Sequence, residues 1–264
     1  MKIEVILTPA ELPGLKERDL SKAACVVFDV LRATSAFVAA LHHGALAVVP
    51  VREISEALAW RRRQPDVLLG GERDGVRIRA AQTGGVDFDL GNSPREYTAE
   101  KVSAKTIIST TTNGTRALRA GAGAQTVLAA SFLNLTATAG FLRQLSPANV
   151  LLVCAGTREN TALEDVLAAG ALCEILETGP SRRNDRLVQH AVPVRFSDSA
   201  DIARRAYAHT ATDLAATVAT SENARRLLAI PELRDDVPFC LQRDIFPLVA
   251  RLEADGNIRG QAST

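Results

Sequence analysis

The chain of 264 residues is long enough for one large α/β domain or for two small ones that pack closely together. Only 4% of the residues are aromatic, against 47% hydrophobic, so the core has to be built from Ala, Val, Leu and Ile. Such a core suits parallel strands covered by helices, and it argues against an all-β sandwich or an aromatic carbohydrate groove. The formal net charge of +1 predicts no nucleic-acid partner and no anionic membrane partner.

The cysteines indicate a reducing compartment. Four of them are widely spaced without a C-x-x-C pair, and three sit in apolar runs. No stretch approaches the ~18 uninterrupted apolar residues of a membrane helix, and the first residues are typical of a strand rather than of a signal peptide. We therefore expect a cytoplasmic protein. The sequence leaves the oligomeric state open, a homodimer included.

Short β-branched runs alternate with amphipathic segments through the first two thirds of the chain. Strands are predicted at Ile3–Leu7, Ala24–Val30, Ala47–Val51, Val67–Gly70, Thr106–Thr110, Thr126–Ala130 and Val150–Cys154. Helices are predicted at Thr34–His43, Glu53–Arg63, Thr115–Ala120 and Ala162–Glu177. Alternating βα units imply a three-layer α/β/α fold with a largely parallel sheet.

The C-terminal third predicts a helical cover on this α/β body. Asp198–Leu228 has purely helical spacing, a last short helix is expected around Leu248–Ala254, and the small polar residues from Gly256 to Thr264 are expected to fray. No Ser/Gly-rich linker divides the chain. We therefore expect a single domain over residues 1–264, with two closely packed sub-domains and a boundary near 135–150 as the alternative.

Ligands of parallel α/β sheets bind beyond the carboxyl ends of strands, so polar groups at those positions are candidate site residues. Asp29 and Arg32 follow the second predicted strand, just before a helix. Asp29 could ligate a divalent cation or act as a base, and Arg32 could bind an oxyanion with two hydrogen bonds. The structural alternative is an Asp–Arg pair with Thr34 as the helix N-cap.

The segment Ser109-Thr110-Thr111-Thr112-Asn113-Gly114-Thr115-Arg116 places consecutive hydroxyl groups and an Asn-Gly turn between a strand and a helix. Such a loop suits phosphate or sulfonate, because free N–H groups and hydroxyls can donate to the anion. The alternative is an ordinary turn with a hydroxyl cap. Such a cap needs fewer hydroxyl groups than this loop carries.

Two further strand ends carry polar groups. Glu72 and Arg73 follow the Val67–Gly70 run, and Asn92-Ser93-Pro94 is typical of a capped helix start. Gly156 follows the strand that ends in Cys154, and Glu164 and Asp165 open the next helix. These two acids could hold a hard cation, although the helix dipole favours acids there even without a function.

An anion-binding loop beside carboxylates suited to Mg²⁺ is the combination that phosphoryl-group hydrolysis needs. Other phosphatase chemistries fit poorly. The aspartyl-phosphate motif fails at Gly91, and the thiol-phosphatase spacing of Cys and Arg is absent. The Arg-His-Gly of a phosphohistidine mechanism is absent as well. Direct attack by a metal-bound water is the reaction that these residues favour, and a covalent phosphoenzyme step is the alternative.

Taken together, these segments resemble the 2-phosphosulfolactate phosphatase family. The matching phrases run in one order from about Ile3 to Ala254: Asp29-Val30-Leu31-Arg32-Ala33-Thr34, Gly71-Glu72-Arg73, Phe88-Asp89-Leu90-Gly91-Asn92-Ser93-Pro94, Thr110-Thr111-Thr112-Asn113-Gly114-Thr115, Cys154-Ala155-Gly156, Leu163-Glu164-Asp165, Ser221–Leu227 and Asp236-Val237-Pro238-Phe239-Cys240. One departure stands after Gly156, where Arg158 and Glu159 are bulky and charged.

The resemblance implies a three-layer α/β fold, Mg²⁺ dependence, and hydrolysis of 2-phosphosulfolactate to 3-sulfolactate and phosphate, a step towards coenzyme M in methanogens. The residue roles are chemical assignments of our own. We assign catalysis to Asp29, Arg32, Glu72 and Asp165; metal binding to Asp29, Glu72, Glu164 and Asp165; and substrate binding to Arg73, Asn92, Ser93, Thr111, Thr112, Asn113, Gly114, Thr115 and Gly156.

Two alternatives remain open at this point. One is a phosphatase of the same chemistry that acts on another small phospho-hydroxy acid. The other is a non-catalytic protein that binds a small anion on the same fold, in which case mutation of the carboxylates would leave ligand affinity unchanged. A dinucleotide-binding dehydrogenase ranks lower, because Gly121-Ala122-Gly123 precedes a strand instead of following one.

Overall fold

The computed structural model describes residues 1–179 and 193–262, and in these ranges an 11-stranded sheet forms the centre of the protein. Its strands are β1 (Lys2–Ile6), β2 (Ala23–Phe28), β3 (Ala47–Pro50), β4 (Leu68–Arg73), β5 (Val76–Arg77), β6 (Thr106–Thr110), β7 (Thr126–Ala130), β8 (Asn149–Cys154), β9 (Arg195–Phe196), β10 (Leu248–Leu252) and β11 (Ile258–Ala262).

Helices connect and cover these strands. They are α1 (Leu12–Leu15), α2 (Ala33–His42), α3 (Ile54–Arg63), α4 (Ala80–Thr83), α5 (Ala99–Val102), α6 (Gly114–Ala120), α7 (Leu135–Leu145), α8 (Leu163–Thr178), α9 (Asp198–Thr210), α10 (Leu214–Ala219), α11 (Glu222–Leu228) and α12 (Asp236–Cys240). Short 3₁₀ helices span Pro9–Glu11, Pro94–Glu96, Phe132–Asn134 and Ala211–Asp213. Across the described residues, none of these helices has the length and apolar character to cross a bilayer.

The strand order along the sheet is β5-β4-β6-β3-β11-β10-β7-β2-β8-β1-β9. Pairing is parallel within the block β4-β6-β3 and within the block β7-β2-β8-β1-β9. The hairpin β10–β11 lies between the two blocks and pairs antiparallel with both. The predicted three-layer α/β fold with a largely parallel sheet is confirmed.

Strand β2 lies near the centre of the second block, and its sequence explains its position. All six residues, Ala-Ala-Cys-Val-Val-Phe, are buried, as expected for a parallel strand covered on both faces. Helix α8 is buried along most of its length against the sheet and against α9. The carboxyl ends of β2 and β8 are thereby fixed side by side, with Phe28 paired to Cys154.

The predicted helix around Leu248–Ala254 and the fraying tail after it are both wrong for the described residues. Residues 248–252 form β10, and Ile258–Ala262 forms β11 within the sheet. The turn between them closes with the N–H of Gly256 donating to the carbonyl of Glu253. Strand β11 is hard to predict from sequence because Arg259, Gly260 and Gln261 occupy its centre, whereas its backbone pairs with neighbours on both sides.

Several smaller boundaries differ from the predictions. Strand β4 continues to Arg73, so Glu72 and Arg73 belong to the strand and pair with β5 instead of following its end. Helix α2 begins at Ala33 with Arg32 at its N-cap position. Thr34 is therefore not the cap, and its hydroxyl instead accepts a hydrogen bond from the N–H of Asp29. The helical spacing of 198–228 is confirmed as α9, α10 and α11.

Removing the buried side chain of β11 tests its place in the sheet. Ile258 is 0% exposed and pairs with Val48, so Ile258→Ala should lower the free energy of unfolding by about 2–5 kcal/mol. The next residue, Arg259, pairs with the exposed Asp255, and Arg259→Ala should cost less than about 1 kcal/mol. Urea unfolding of both variants measures the difference. Equal, small losses would contradict a central strand here.

Candidate active site

A small cavity of ≈ 70 Å³, open to solvent, lies where the loops after β2, β6 and β8 meet helix α11. Of the predicted site residues, the cavity is lined by Asp29, Arg32, Glu72, Asn92, Thr112, Asn113 and Gly156. The structure therefore brings together residues from four of the predicted segments, although they are far apart along the chain.

Asp29 lies directly after β2 and lines the cavity. Its Oδ1 accepts a hydrogen bond of 3.1 Å from the N–H of Ala33. Its Oδ2 faces Gly114, because a Cβ atom added at Gly114 would lie only 2.8 Å from this oxygen. A side chain at position 114 would collide with the carboxylate, so glycine is required for the loop after β6 to approach Asp29.

Glu72 joins the β4–β5 turn to the threonine-rich loop. Its Oε2 accepts the N–H of Gly75 at 2.7 Å, and its Oε1 accepts both the N–H and the hydroxyl of Thr112 at 3.0 and 2.9 Å. The side chain is 8% exposed. Three hydrogen bonds to a buried carboxylate fix the positions of both loops at the cavity wall.

Asp165 fixes the strand ends in the same way. Its two oxygens accept the N–H groups of Val30 at 2.8 Å and Gly156 at 3.0 Å, which tie the end of β2 to the end of β8. Gly156 has a positive φ of 66°, its carbonyl accepts the amide of Asn113, and a Cβ atom there would collide with Pro9. Asp165 itself lies behind the cavity wall.

Glu164 has an oxygen with no hydrogen-bond partner. The residue is 1% exposed, its Oε1 accepts from the amide of Asn223 at 2.8 Å, and its Oε2 has no hydrogen bond in the described part of the chain. A buried, ionisable oxygen without a donor is costly. Glu164 therefore presents an oxygen ligand that is otherwise unused.

Arg32 makes a buried ion pair that the sequence did not reveal. Its Nη1 donates to Asp236 at 2.6 Å, and the two side chains are 2% and 0% exposed. Its Nη2 donates to the carbonyl of Gly75, and the hydroxyl of Ser93 donates to Asp236. Arg32 therefore holds α12 and the β4–β5 turn against the cavity while its own charge is neutralised.

The cavity lining does not include the predicted substrate-binding residues Arg73, Ser93, Thr111, Gly114 and Thr115. Arg73 donates to Thr110 and to the carbonyl of Glu72, which stabilises the strand end. The hydroxyls of Thr111 and Thr115 lie 3.3 Å apart and line a separate groove on the other side of the threonine-rich loop. Asn92 lines the cavity with an Oδ1 that has no partner among the described residues.

Sequence reasoning missed the cavity residues that the C-terminal helices and the turn after β8 supply. Asn223 and Arg226 come from α11, Arg158 comes from the turn after β8, and Asp74 comes from the β4–β5 turn. Asp236 on α12 neutralises Arg32 from behind. For the residues of α11 and α12, the sequence signal was the family resemblance of residues 221–227 and 236–240. Helical periodicity alone does not predict that polar side chains of these helices lie near a distant strand end.

Burial and neighbouring charge disfavour ionisation of the acids around the cavity. Burial, with Glu72 and Glu164 nearby, raises the pKa of Asp29 to about 7, against the opposing effects of the Ala33 N–H and Arg32. Burial first, and then Asp29 and Glu164, raise the pKa of Asp165 well above its usual range. Burial also raises the pKa of the Cys154 thiol well above its usual value, which opposes a role as nucleophile.

The raised pKa of Asp29 predicts a pH dependence of stability in metal-free protein. The folded state binds this proton more tightly than the unfolded state does, so the stabilisation is full below the unfolded value of 3.8. It is lost as the pH rises to about 7. Asp29→Asn retains an oxygen for the Ala33 N–H and should make the decline in the free energy of unfolding shallower over this interval. Urea unfolding with EDTA measures it, and parallel curves would refute the prediction.

Comparison with known proteins agrees with the resemblance predicted from the motifs. The family model for 2-phosphosulpholactate phosphatase matches residues 7–255. A probable 2-phosphosulfolactate phosphatase of Thermotoga petrophila is 40% identical over 227 residues, 86% of this chain and 88% of that protein. Proteins of the same name from Caldanaerobacter subterraneus and Clostridium acetobutylicum are 36% and 34% identical, covering 91% and 94% of this chain and 92% and 96% of their own lengths. The chain belongs to the 2-phosphosulfolactate phosphatase family.

Proposed function

We propose that the protein is a Mg²⁺-dependent phosphatase that hydrolyses 2-phosphosulfolactate to 3-sulfolactate and phosphate. The observation that carries the proposal is the group of carboxyl groups around the cavity floor, in which Asp29 and Glu164 each keep an oxygen free of hydrogen bonds from described residues. The names of the relatives support the substrate. The family supports a phosphoric monoester hydrolase.

The donor set fits Mg²⁺. This ion is usually held by one or two carboxylates, with water and substrate phosphate as its other ligands. Asp29 and Glu164 supply two hard oxygen ligands, and the lone oxygen of Glu164 is otherwise hard to explain. In the described ranges no group of three or more His, Cys, Asp and Glu side chains is arranged as a complete metal site. The fit is therefore to an ion that substrate and water help to hold.

In the proposed reaction, water attacks phosphorus, the bond between phosphorus and the 2-oxygen of the substrate breaks, and that oxygen takes up a proton. Mg²⁺ held by Asp29 and Glu164 would neutralise charge on the phosphate and lower the pKa of a nearby water. Glu72 and Asp165 act through the loops that they fix, because their oxygens accept backbone N–H groups. Thr112 and Asn113 line the cavity and provide donors for anionic oxygens.

We also propose that the protein works in the cytoplasm. All four cysteines are buried free thiols. Free buried cysteines are the usual state in reducing compartments.

Phosphate release from phosphosulfolactate, phospholactate and p-nitrophenyl phosphate, with Mg²⁺ or with EDTA, tests the activity. Metal-dependent turnover that favours phosphosulfolactate supports the proposal. Faster turnover of another phosphate ester would support the proposed hydrolysis but assign a different substrate. Absence of turnover with all three, in folded protein loaded with Mg²⁺, contradicts the proposal and favours a protein that only binds anions.

Asp29→Asn should lower kcat by about 100-fold or more, because it removes the negative charge with which Asp29 would hold Mg²⁺ beside the reacting phosphate. Asp213→Asn alters an exposed acid outside the cavity and should leave kcat unchanged. Steady-state phosphate release at saturating Mg²⁺ measures both. Wild-type kcat in Asp29→Asn would remove Asp29 from the mechanism.

Thermal unfolding with and without Mg²⁺ tests the ligand role of Glu164 without any substrate. Mg²⁺ should raise the Tm of the wild-type protein, since ligand binding to the folded state stabilises it. Glu164→Gln preserves an oxygen for Asn223 but loses the charge, so the rise should shrink. The exposed Glu100→Gln is the matched control and should retain the full rise. An undiminished rise in Glu164→Gln would show that the ion binds elsewhere.

A further inference from the structure

The negative and the positive charges of the cavity lie at opposite ends of it. Its floor is acidic, with Asp29 and Glu72 in the lining and Glu164 behind them. Arg32 adds no free positive charge there, because Asp236 neutralises it at 2.6 Å. The unneutralised guanidinium groups of the lining belong to Arg158 and Arg226, both exposed at the mouth.

Arg158 lies in a turn that holds it at the mouth. Thr157 and Asn160 close the turn with backbone hydrogen bonds in both directions, and Arg158 has a positive φ of 57°. Such a φ is uncommon for a residue other than glycine and is found at functional sites. The neighbouring Glu159 pairs with Arg116, so the adjacent acid does not neutralise Arg158. Within the described ranges, Arg158 has no ion pair or side-chain hydrogen bond.

Arg226 approaches the mouth from α11 and is held in place. Its Nη2 donates to Oδ1 of Asn223 at 2.7 Å, and the amide of Asn223 donates to Thr157 at 2.6 Å and to Glu164 at 2.8 Å. Its Nε lies 3.9 Å from the position of a Cβ added at Gly75, so the side chain extends along the cavity wall. One amide thus connects the Arg226 guanidinium, the Arg158 turn and the acidic floor.

We infer that Arg158 and Arg226 form a two-arginine clamp for a second acidic group of the substrate, a carboxylate or a sulfonate, while its phosphate lies at the acidic floor beside the cation. The inference rests on the proposed function and adds how the substrate is oriented. Guanidinium groups suit the task because they donate paired hydrogen bonds to carboxylate or sulfonate oxygens. Asp74 also lines the cavity and is exposed, and its single negative charge leaves the two guanidinium groups with a net positive charge.

Steady-state kinetics of the full chain with Mg²⁺ test the clamp. Arg158→Gln should raise KM about 10- to 100-fold for phosphosulfolactate, the loss expected for charge-assisted hydrogen bonds, and should change kcat much less. KM for p-nitrophenyl phosphate, which has no second acid, should change less than about twofold. Arg158→Lys should recover part of the loss. Phospholactate has only the carboxylate. If Arg158→Gln also raises KM for phospholactate, the clamp holds the carboxylate; if it does not, the clamp holds the sulfonate.

Arg226→Gln should raise the same KM, and Arg225→Gln on the same helix is the matched control, because Arg225 does not line the cavity. Equal KM increases for p-nitrophenyl phosphate and phosphosulfolactate would overturn the clamp, since the arginines would then serve the phosphate. An unchanged KM for phosphosulfolactate in both Arg158→Gln and Arg226→Gln would overturn it as well.

Binding of 3-sulfolactate, followed by calorimetry, separates this inference from the proposed function. The ligand carries both acidic groups and lacks the phosphate, so it tests the mouth of the cavity without turnover. Weaker binding in Arg158→Gln than in Arg225→Gln supports the clamp even if no phosphate ester is hydrolysed. Equal binding in the two variants, or none in wild-type protein, refutes the clamp while leaving phosphatase activity to its own assay.

Discussion

The candidate site depends on keeping several carboxyl groups close together and away from water. Each buried acid needs either a donor or a cation, because burial penalises its charge. Glu72 and Asp165 obtain backbone N–H groups, and Asp236 obtains Arg32. These hydrogen bonds also fix the loops at the ends of β2, β4, β6 and β8. Asp29 and Glu164 receive fewer donors, so the unsatisfied negative charge is concentrated where a cation would bind.

The C-terminal region completes this arrangement, although it lies far from the motifs in sequence. Three successive antiparallel pairings, through β10 and β11, join the two parallel blocks of the sheet. The loop after β6 belongs to one block and the end of β2 to the other, yet Gly114 touches Asp29 and Asn113 bonds to Gly156. Helices α11 and α12 then close the cavity with Asn223 and Asp236. Folding of the C-terminal region and assembly of the site are therefore coupled.

Much of the fold follows from local patterns. Thr106–Thr110 and Thr126–Ala130 were predicted at their observed bounds because short runs of β-branched and apolar residues indicate strands. Strand β11 was missed because its central residues, Arg259, Gly260 and Gln261, carry no apolar pattern, and pairing with its neighbours makes it a strand. The rule that ligands bind beyond the carboxyl ends of strands correctly predicted that Asp29 and Thr112 lie at one cavity. This rule could not show that the Arg73 guanidinium donates hydrogen bonds to Glu72 and Thr110, or that Arg32 pairs with Asp236, because tertiary packing sets those partners.

The distribution of charge also explains how an acidic floor is compatible with an anionic ligand. Arg158 and Arg226 are exposed at the mouth, so an approaching anion meets them before it reaches the carboxylates of the floor. In the proposed function, a cation held by Asp29 and Glu164 would reverse the sign of the floor. The amide of Asn223 touches Glu164 and Arg226 together, so one side chain fixes the spacing between the two ends of the cavity. Under the proposed clamp, that fixed spacing would select a ligand by the distance between its anionic groups as well as by their charge.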